Sequence, residues 1–484
     1  MHVACERRTR YKRRMMGRWI AAAPAVVAIA LGAVAARAAT LEPHLEVRGA
    51  DVTTADVRPA GGAWRTVRWD DLDQERLAPG NYEIRAQLDG GPNGASAQVP
   101  PCAGRESVAV DGHRVAAPPG PVVVSLAPGA HELRVTLRVS KYERRIACGE
   151  APRVGAGVRT IEGLGLLTFA SPFGARGGGR AVVYVPPGHD ATRPAPVLVG
   201  THPWNGSMWT YAAYVELLRE ARARDVVLLM PSGLGNSLYT ADAEQEVMRA
   251  VDALGKVLAV DPGAVSIWGA SMGGAGATTI GFHHPDRFAS VTSFFGDSRY
   301  DLGTYVHALL PDEHAAHLVN ALDVVDNARH LPVWLIHGEE DTTSPIRQSA
   351  MLAQALADRG FRVRFDRVPG IGHDGALVAR LAAGVVDTAA TARVPEHPSR
   401  VTYRSVRSSE VEAYGVRIVR ASASGDAFVD VERRADAVHV LHAEGVREIV
   451  LEPGALGAAA EPPPPVVVDD GSGVRARWAS GPSP

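Results

Sequence analysis

Apolar and polar residues alternate along two stretches of the N-terminal third. Tyr82-Glu-Ile-Arg-Ala-Gln-Leu88 and His131-Glu-Leu-Arg-Val-Thr-Leu-Arg-Val139 both put every second side chain on one face. That period of two predicts strands with one buried face. Val108-Ala-Val110 fits between them. Turn-forming groups separate the runs: Pro79-Gly80-Asn81, Asp89-Gly90-Gly91, Asp111-Gly112, Pro118-Pro119-Gly120 and Pro128-Gly129. Short strands at this spacing predict a β-sandwich over residues 39–160.

Near residue 160 the pattern changes. Ala181–Val185, Pro196–Gly200, Asp225–Met230, the run before Gly269 and Val333–His337 are nearly continuous apolar runs, and Ala289–Phe295 and Arg362–Val368 read as further strands. Such runs suit parallel strands buried on both faces. Helical spacing lies between them, over Tyr211–Arg224, Ala241–Val260 and Ile346–Arg359. Strands alternating with helices predict an α/β domain over 161–392, a doubly wound, mostly parallel sheet. Between Ser298 and His330 a longer, His-rich insertion is expected to be helical. Past about 395 alternation returns in Tyr414–Val419, Ala427–Val431, Ala437–Leu441 and Glu448–Leu451, predicting a small β module over 393–470. Glu461-Pro-Pro-Pro-Pro465 reads as a stiff linker, and 471–484 as a disordered tail.

Composition narrows the functional classes. The chain has 484 residues and a formal charge of −2, which points away from nucleic acid. Nearly all positive charge is arginine, Lys12, Lys141 and Lys256 being the lysines. Residues 1–38 have the layout of an export signal. A basic stretch from Arg7 to Arg18 precedes the apolar run Trp19–Ala36, and Ala36-Arg37-Ala38 supplies the small residues of a cleavage site after Ala38. The mature protein is then expected to be secreted or periplasmic and without a membrane span; an uncleaved N-terminal anchor is the alternative. Cys5 leaves with the signal, so Cys102 and Cys148 form the one pair remaining in an exported protein and are expected to be disulfide-bonded.

The chemistry centres on Val265-Ser-Ile-Trp-Gly-Ala-Ser-Met-Gly-Gly-Ala-Gly276. A strand running into Gly-x-Ser-x-Gly and then into small residues is the layout of a nucleophile elbow, with Ser271 at the turn. A serine hydroxyl needs a base within reach and an acid to orient that base. Asp341 in His337-Gly-Glu-Glu-Asp-Thr-Thr-Ser-Pro345 is the acid candidate, directly after a strand; Glu339, Glu340 and Asp297 are its rivals. His373, in Pro369-Gly-Ile-Gly-His-Asp374, is the base candidate. An oxyanion hole needs two backbone N–H groups. One is expected from Met272, the other from the loop Thr201–Gly206. His314 and His317, three apart, are read as a solvated helix face, and no metal or organic cofactor is implied.

These three motifs together resemble α/β-hydrolases of the prolyl-oligopeptidase (peptidase S9-like) group and secreted esterases, including polyhydroxybutyrate depolymerase-like and feruloyl or acetylxylan esterases. Gly-x-Ser-Met-Gly-Gly, His-Gly-x-x-Asp-x-x-x-Pro, Gly-His-Asp, Asp261-Pro262 and His284-Pro-Asp-Arg-Phe288 carry the resemblance, over roughly residues 165–390. It implies Ser271, Asp341 and His373 as nucleophile, acid and base. The N-terminal phrases around Pro79-Gly80 and Pro128-Gly129 look like the jelly-roll modules attached to secreted hydrolases, some of which bind sugars; a spacer role is expected here. One departure stands out. Where these families carry His-Gly, this chain has His202-Pro203, and proline has no N–H to donate. The second oxyanion donor then shifts to Trp204. Trp204 and Trp209 are also expected to line the substrate pocket. No β-propeller precedes the catalytic stretch, which tilts the expectation from a peptidase toward a carboxylesterase acting on small-molecule or polymer esters, carbohydrate-linked esters among them. A serine peptidase and a catalytically silent binding protein are the alternatives.

Overall fold

The computed structural model describes residues 39–479 apart from 73, 75–76, 101, 103, 116–120, 140–144, 147, 149–150, 174–177, 301–308, 409–410 and 459–461. The expected export signal and the Pro118–Gly120 turn lie outside the described residues. In the strand Gly80–Asp89, the alternation puts Tyr82, Ile84, Ala86 and Leu88 inside. Its antiparallel partner Ala130–Val139 buries Leu133, Val135, Leu137 and Val139 against them. These two strands form the centre of a six-stranded antiparallel sheet. Ala95–Val99 and Val122–Leu126 face it and close the core with Ala97, Val99 and Leu126. Cys102 and Cys148 are disulfide-bonded beside this core.

The facing sheet does not end with the sandwich. β1 (Thr40–Asp51) runs antiparallel along the whole of β2 (Arg153–Ala170), from Thr40 opposite Thr168 to Asp51 opposite Arg153. The first residues of β2 pair with Ala95–Val99 and its last seven with β3 (Gly178–Tyr184). A boundary at residue 160 therefore falls inside one continuous strand. The ladder with β1 is interrupted between Pro43 and Leu45 and between Arg48 and Ala50; at the breaks Gly155 lies opposite Ser96, and the Val185 amide donates to Gly163 O (2.8 Å).

The sheet continues through β4 (Ala195–Thr201), β5 (Val227–Pro231), β6 (Val260–Ala270), β7 (Val291–Phe294), β8 (Val333–Gly338) and β9 (Val363–Val368). Their order is β9-β8-β7-β6-β4-β5-β3-β2, with β4 to β9 all parallel and β3 antiparallel to β5. Every residue of β5, β7 and β8 is buried, which is why β5 and Val333–Ile336 of β8 read as unbroken apolar runs, while β7 buries the small hydroxyl side chains of Thr292 and Ser293. α1 (Val215–Arg224) and α6 (Ala376–Thr391) cover one face through Leu217, Ala221, Leu377 and Val385. α2 (Ala241–Leu254), α3 (Met272–His283) and α5 (Arg347–Asp358) cover the other through Val247, Ile280 and Leu352. The fold is the expected α/β, doubly wound arrangement. The chain reverses direction across the sheet between β4 and β6, and the crevice at their C-terminal ends is where such sheets place a site.

Within the insertion, α4 (Glu313–His317) carries both histidines. His317 reaches Asp323 (3.1 Å) and Asp426 of the C-terminal module (2.9 Å). That module is two four-stranded sheets around Val401, Tyr403, Val429, Val440 and Ile449. Its last strand is Arg475–Trp478, parallel to Val446–Leu451. Residues 475–478 are thus part of the module and not of a disordered tail. Strand pairing and the bond from Trp478 Nε1 to Pro464 O (2.8 Å) hold a segment too polar to be read as a strand. Arg407 docks the module: its Nη1 lies 2.7 Å from the fully buried Glu244 of α2, which His283 and His284 also contact. Tyr414 bonds Pro285 O (2.6 Å) and Asp286 (3.1 Å), so the His284–Phe288 motif serves as a docking surface.

Candidate active site

The parallel register brings the expected residues to one edge. Ala270, Phe294 and Ile336 lie side by side, as do Gly338 and Val368. Ser271 follows β6 at once, Asp297 follows β7, Asp341 follows β8 and His373 follows β9. Ser271 has φ 56° and ψ −122°, a left-handed backbone rare for a residue with a side chain. The turn is this tight because α3 starts at the next residue. A Cβ at Gly273 would lie 1.8 Å from Thr201 O, and one at Gly269 would lie 2.4 Å from Gly273 O. Only glycine fits on either side of the serine. The strain, of order 1–3 kcal/mol, is held by α3, all of whose residues are buried.

His373 Nε2 lies 2.9 Å from Ser271 Oγ, and His373 Nδ1 lies 2.7 Å from Asp341 Oδ2. Asp341 Oδ1 accepts the amides of Thr343 and Ser344, both at 2.9 Å. Burial alone would raise the Asp341 pKa. Donors from His337, His373 and the Ser344 amide outweigh it and hold the carboxyl well below the usual carboxylate range. The rival acids sit elsewhere. Glu339 pairs with Arg367 at 3.0 Å, and Glu340 is exposed. Asp297 is buried and accepts the Ser344 hydroxyl at 2.6 Å; burial pushes its pKa up.

Met272 is the first residue of α3, so its amide has no acceptor within the helix. In the β4 loop, the Asn205 amide is bonded to Asn236 Oδ1 (2.7 Å) and the Gly206 amide to Pro203 O (2.9 Å). A second bond, Asn236 Nδ2 to Asn205 Oδ1 (2.8 Å), locks this turn. Pro203 lacks an N–H, and Trp204 is the next residue of this loop. A cavity of 390 Å³ opens over Ser271 and His373. Pro203, Trp204, Tyr211, Tyr214, Phe295 and Thr343 line most of it.

Trp209 does not line this cavity. Its ring packs 4.5 Å from the His44 ring of β1 and joins the core under α1. The sequence suggested a pocket role because the residue precedes the helix, but the strand that captures it lies more than 150 residues away. Tyr211, expected only as the start of a helical stretch, acts as a strut. Its hydroxyl donates to Thr201 O (2.9 Å) and accepts the Ala270 amide (3.0 Å), tying the oxyanion loop to the residue before Ser271. Burial keeps that hydroxyl protonated. Thr201 Oγ1 adds contacts to Trp268 O (2.8 Å) and Gly273 O (2.7 Å). No spacing rule marks either residue.

Residues 235–385 match the model of the prolyl oligopeptidase family. No curated protein matches the chain. Among solved structures, an S-formylglutathione hydrolase from Agrobacterium tumefaciens is 19% identical with a TM-score of 0.42, covering 49% of this chain and 98% of its own. A CE1 ferulic acid esterase from Anaeromyces mucronatus is 16% identical with a TM-score of 0.37, covering 47% and 90%. An acylaminoacyl peptidase of Pyrococcus horikoshii is 18% identical with a TM-score of 0.36, covering 43% and 38%. Strand order, elbow and family match agree: the chain is an α/β-hydrolase of the serine hydrolase class, and its residues 235–385 match the prolyl oligopeptidase family.

Proposed function

We propose that this protein is an exported carboxylesterase that cleaves uncharged esters through an acyl-Ser271 intermediate. The lining of the cavity carries this reading. Apart from His373, the described residues of its walls carry aromatic, small and hydroxyl side chains, and among them is no carboxylate or guanidinium to receive a charged peptide terminus. In the proposed cycle Ser271 Oγ attacks the ester carbonyl carbon and its proton passes to His373 Nε2. Asp341 holds His373 Nδ1–H and stabilises the imidazolium. The amides of Met272 and Trp204 receive the carbonyl oxygen as it becomes negative. Collapse expels the alcohol, which takes the proton from His373. Water then attacks the acyl carbon, giving its proton to the same nitrogen, and the acid leaves as Ser271 recovers its own. Residues 1–38 and the Cys102–Cys148 disulfide support export. The N-terminal sandwich and the C-terminal module are proposed as scaffolding.

A serine peptidase is the second reading, favoured by the family match over 235–385. Paired rates on p-nitrophenyl butyrate and on peptidyl anilides separate the two. Esters turned over with anilides untouched support the proposal; faster anilide cleavage replaces it with the peptidase. Ser271→Ala is expected to abolish both turnover and labelling by a fluorophosphonate probe. A wild-type protein that the probe does not label points to a silent binding protein.

A further inference from the structure

We propose that His337 is a positioning residue for the triad, a second imidazole that sets the basicity and orientation of Asp341. The proposal rests on the serine hydrolase reading above. His337 is the next-to-last residue of β8, with its side chain fully buried. Its Nε2 lies 2.7 Å from Ser344 O and 3.4 Å from Asp341 Oδ2. Its Nδ1 lies 2.7 Å from Ser349 Oγ of α5. A carbonyl oxygen can only accept, so Nε2 carries the hydrogen. In the neutral ring Nδ1 then accepts the Ser349 hydroxyl. The partners fix the tautomer.

This N–H does two things. It grips Ser344 O, while the Ser344 amide grips Asp341 Oδ1 and the Ser344 hydroxyl grips Asp297 Oδ1. The turn from Asp341 to Ser344 is therefore closed by one imidazole. It also lies beside Oδ2, the oxygen that orients His373. A donor there withdraws charge from the carboxylate and keeps it ionised while positive charge forms on His373. Among the described residues, the charged groups that interact with His337 are Asp341 on the loop after its strand and Asp297 after β7, and His373 after β9 meets Asp341 as well. The Phe295 ring shields it at 6.4 Å.

Removing this donor has a signed consequence. With less competition, Asp341 Oδ2 attracts the His373 imidazolium more strongly. The acid limb of the kcat/KM profile then moves to higher pH, by about half a unit for one weak donor to a charged group. The loosened turn lowers kcat by about tenfold, the scale of one lost hydrogen bond to an ion, with KM little changed.

The test compares wild type, His337→Phe and His337→Gln. Phenylalanine fills the space without a donor, and glutamine can place an N–H near the Nε2 position. Ester turnover across pH, fluorophosphonate labelling rates and thermal midpoints are measured on each. The expected result is slow labelling, lowered kcat and a shifted acid limb in the Phe variant, with glutamine restoring much of each. An unmoved acid limb with only a lowered thermal midpoint overturns the proposal, as does a Gln variant no better than Phe. If Phe does not fold, the Gln variant and Ser344→Ala, which frees Asp297 only, carry the comparison: a Gln profile shifted like that of Ser344→Ala overturns it. Failure of the wild type to label or to hydrolyse esters sinks the underlying reading instead, and so is told apart.

Discussion

Replacing Asp341 by asparagine tests the site most sharply, because the surrounding donors decide how the amide sits. Asp341 Oδ1 accepts two backbone amides at 2.9 Å, from Thr343 and Ser344. An asparagine NH2 cannot occupy that position, since donors would face donors. The asparagine oxygen must take the Oδ1 place, and its NH2 the Oδ2 place, 2.7 Å from His373 Nδ1. His373 must then present a lone pair on Nδ1 and carry its hydrogen on Nε2, the nitrogen 2.9 Å from Ser271 Oγ. In that tautomer it cannot take the serine proton. A loss of about 10⁴ in kcat is expected from the wrong tautomer, about 5.4 kcal/mol at 1.36 kcal/mol per tenfold. The backbone grip on Oδ1 survives, so the thermal midpoint should move little. Initial rates on p-nitrophenyl butyrate, with a parallel melting curve, measure both. A folded Asp341→Asn enzyme within tenfold of wild type, beside a crippled Asp297→Asn enzyme, would refute the assignment and move the acid to Asp297.

Further outcomes follow for other residues. Arg407→Met leaves Glu244, fully buried, without its guanidinium, and breaking such a pair is expected to destabilise by about 3–5 kcal/mol, read by urea unfolding. Burial alone would raise the Glu244 pKa, but His283 and Arg407 hold it well below the 4.5 of a free side chain; its stabilisation is complete above that pH and lost as pH falls through the folded value, so Glu244→Gln should flatten the acid limb of the stability curve. Cys102→Ser with Cys148→Ser opens a loop of sequence separation 46 and is expected to cost up to about 4 kcal/mol; an unchanged melting curve under reductant would argue against the bond. Trp204→Ala should lower kcat/KM for bulky esters more than for acetate, whereas Trp209→Phe should leave KM unchanged because that ring packs on His44 and not on the cavity.

Much was legible without coordinates, wherever a local pattern has a local cause. A period of two gives Tyr82, Ile84, Ala86 and Leu88 one buried face in any sheet that covers them. An unbroken apolar run such as Val333–Ile336 has no face to give to water, so it must lie in the middle of a parallel sheet. Gly269 and Gly273 around Ser271 announce a turn that admits no side chain. The order Ser271, Asp341, His373 follows from each standing just past a strand, so the three emerge on one edge once the strands align. Other features depend on partners distant in sequence, and no local pattern marks them. Residue 160 reads as a domain boundary until β1 pairs with the strand on both sides of it. Arg475–Trp478 reads as a tail until Val446–Leu451 pairs with it. Trp209 reads as a pocket wall until His44 takes its ring. His337 reads as one letter of a motif until Ser344, Ser349 and Asp341 meet its two nitrogens. The sequence determined which faces are apolar and where the backbone must turn, because those are properties of neighbouring residues. The tertiary structure decided which polar atoms meet, because a hydrogen bond needs two groups within about 3 Å, and only the packed sheet brings them that close.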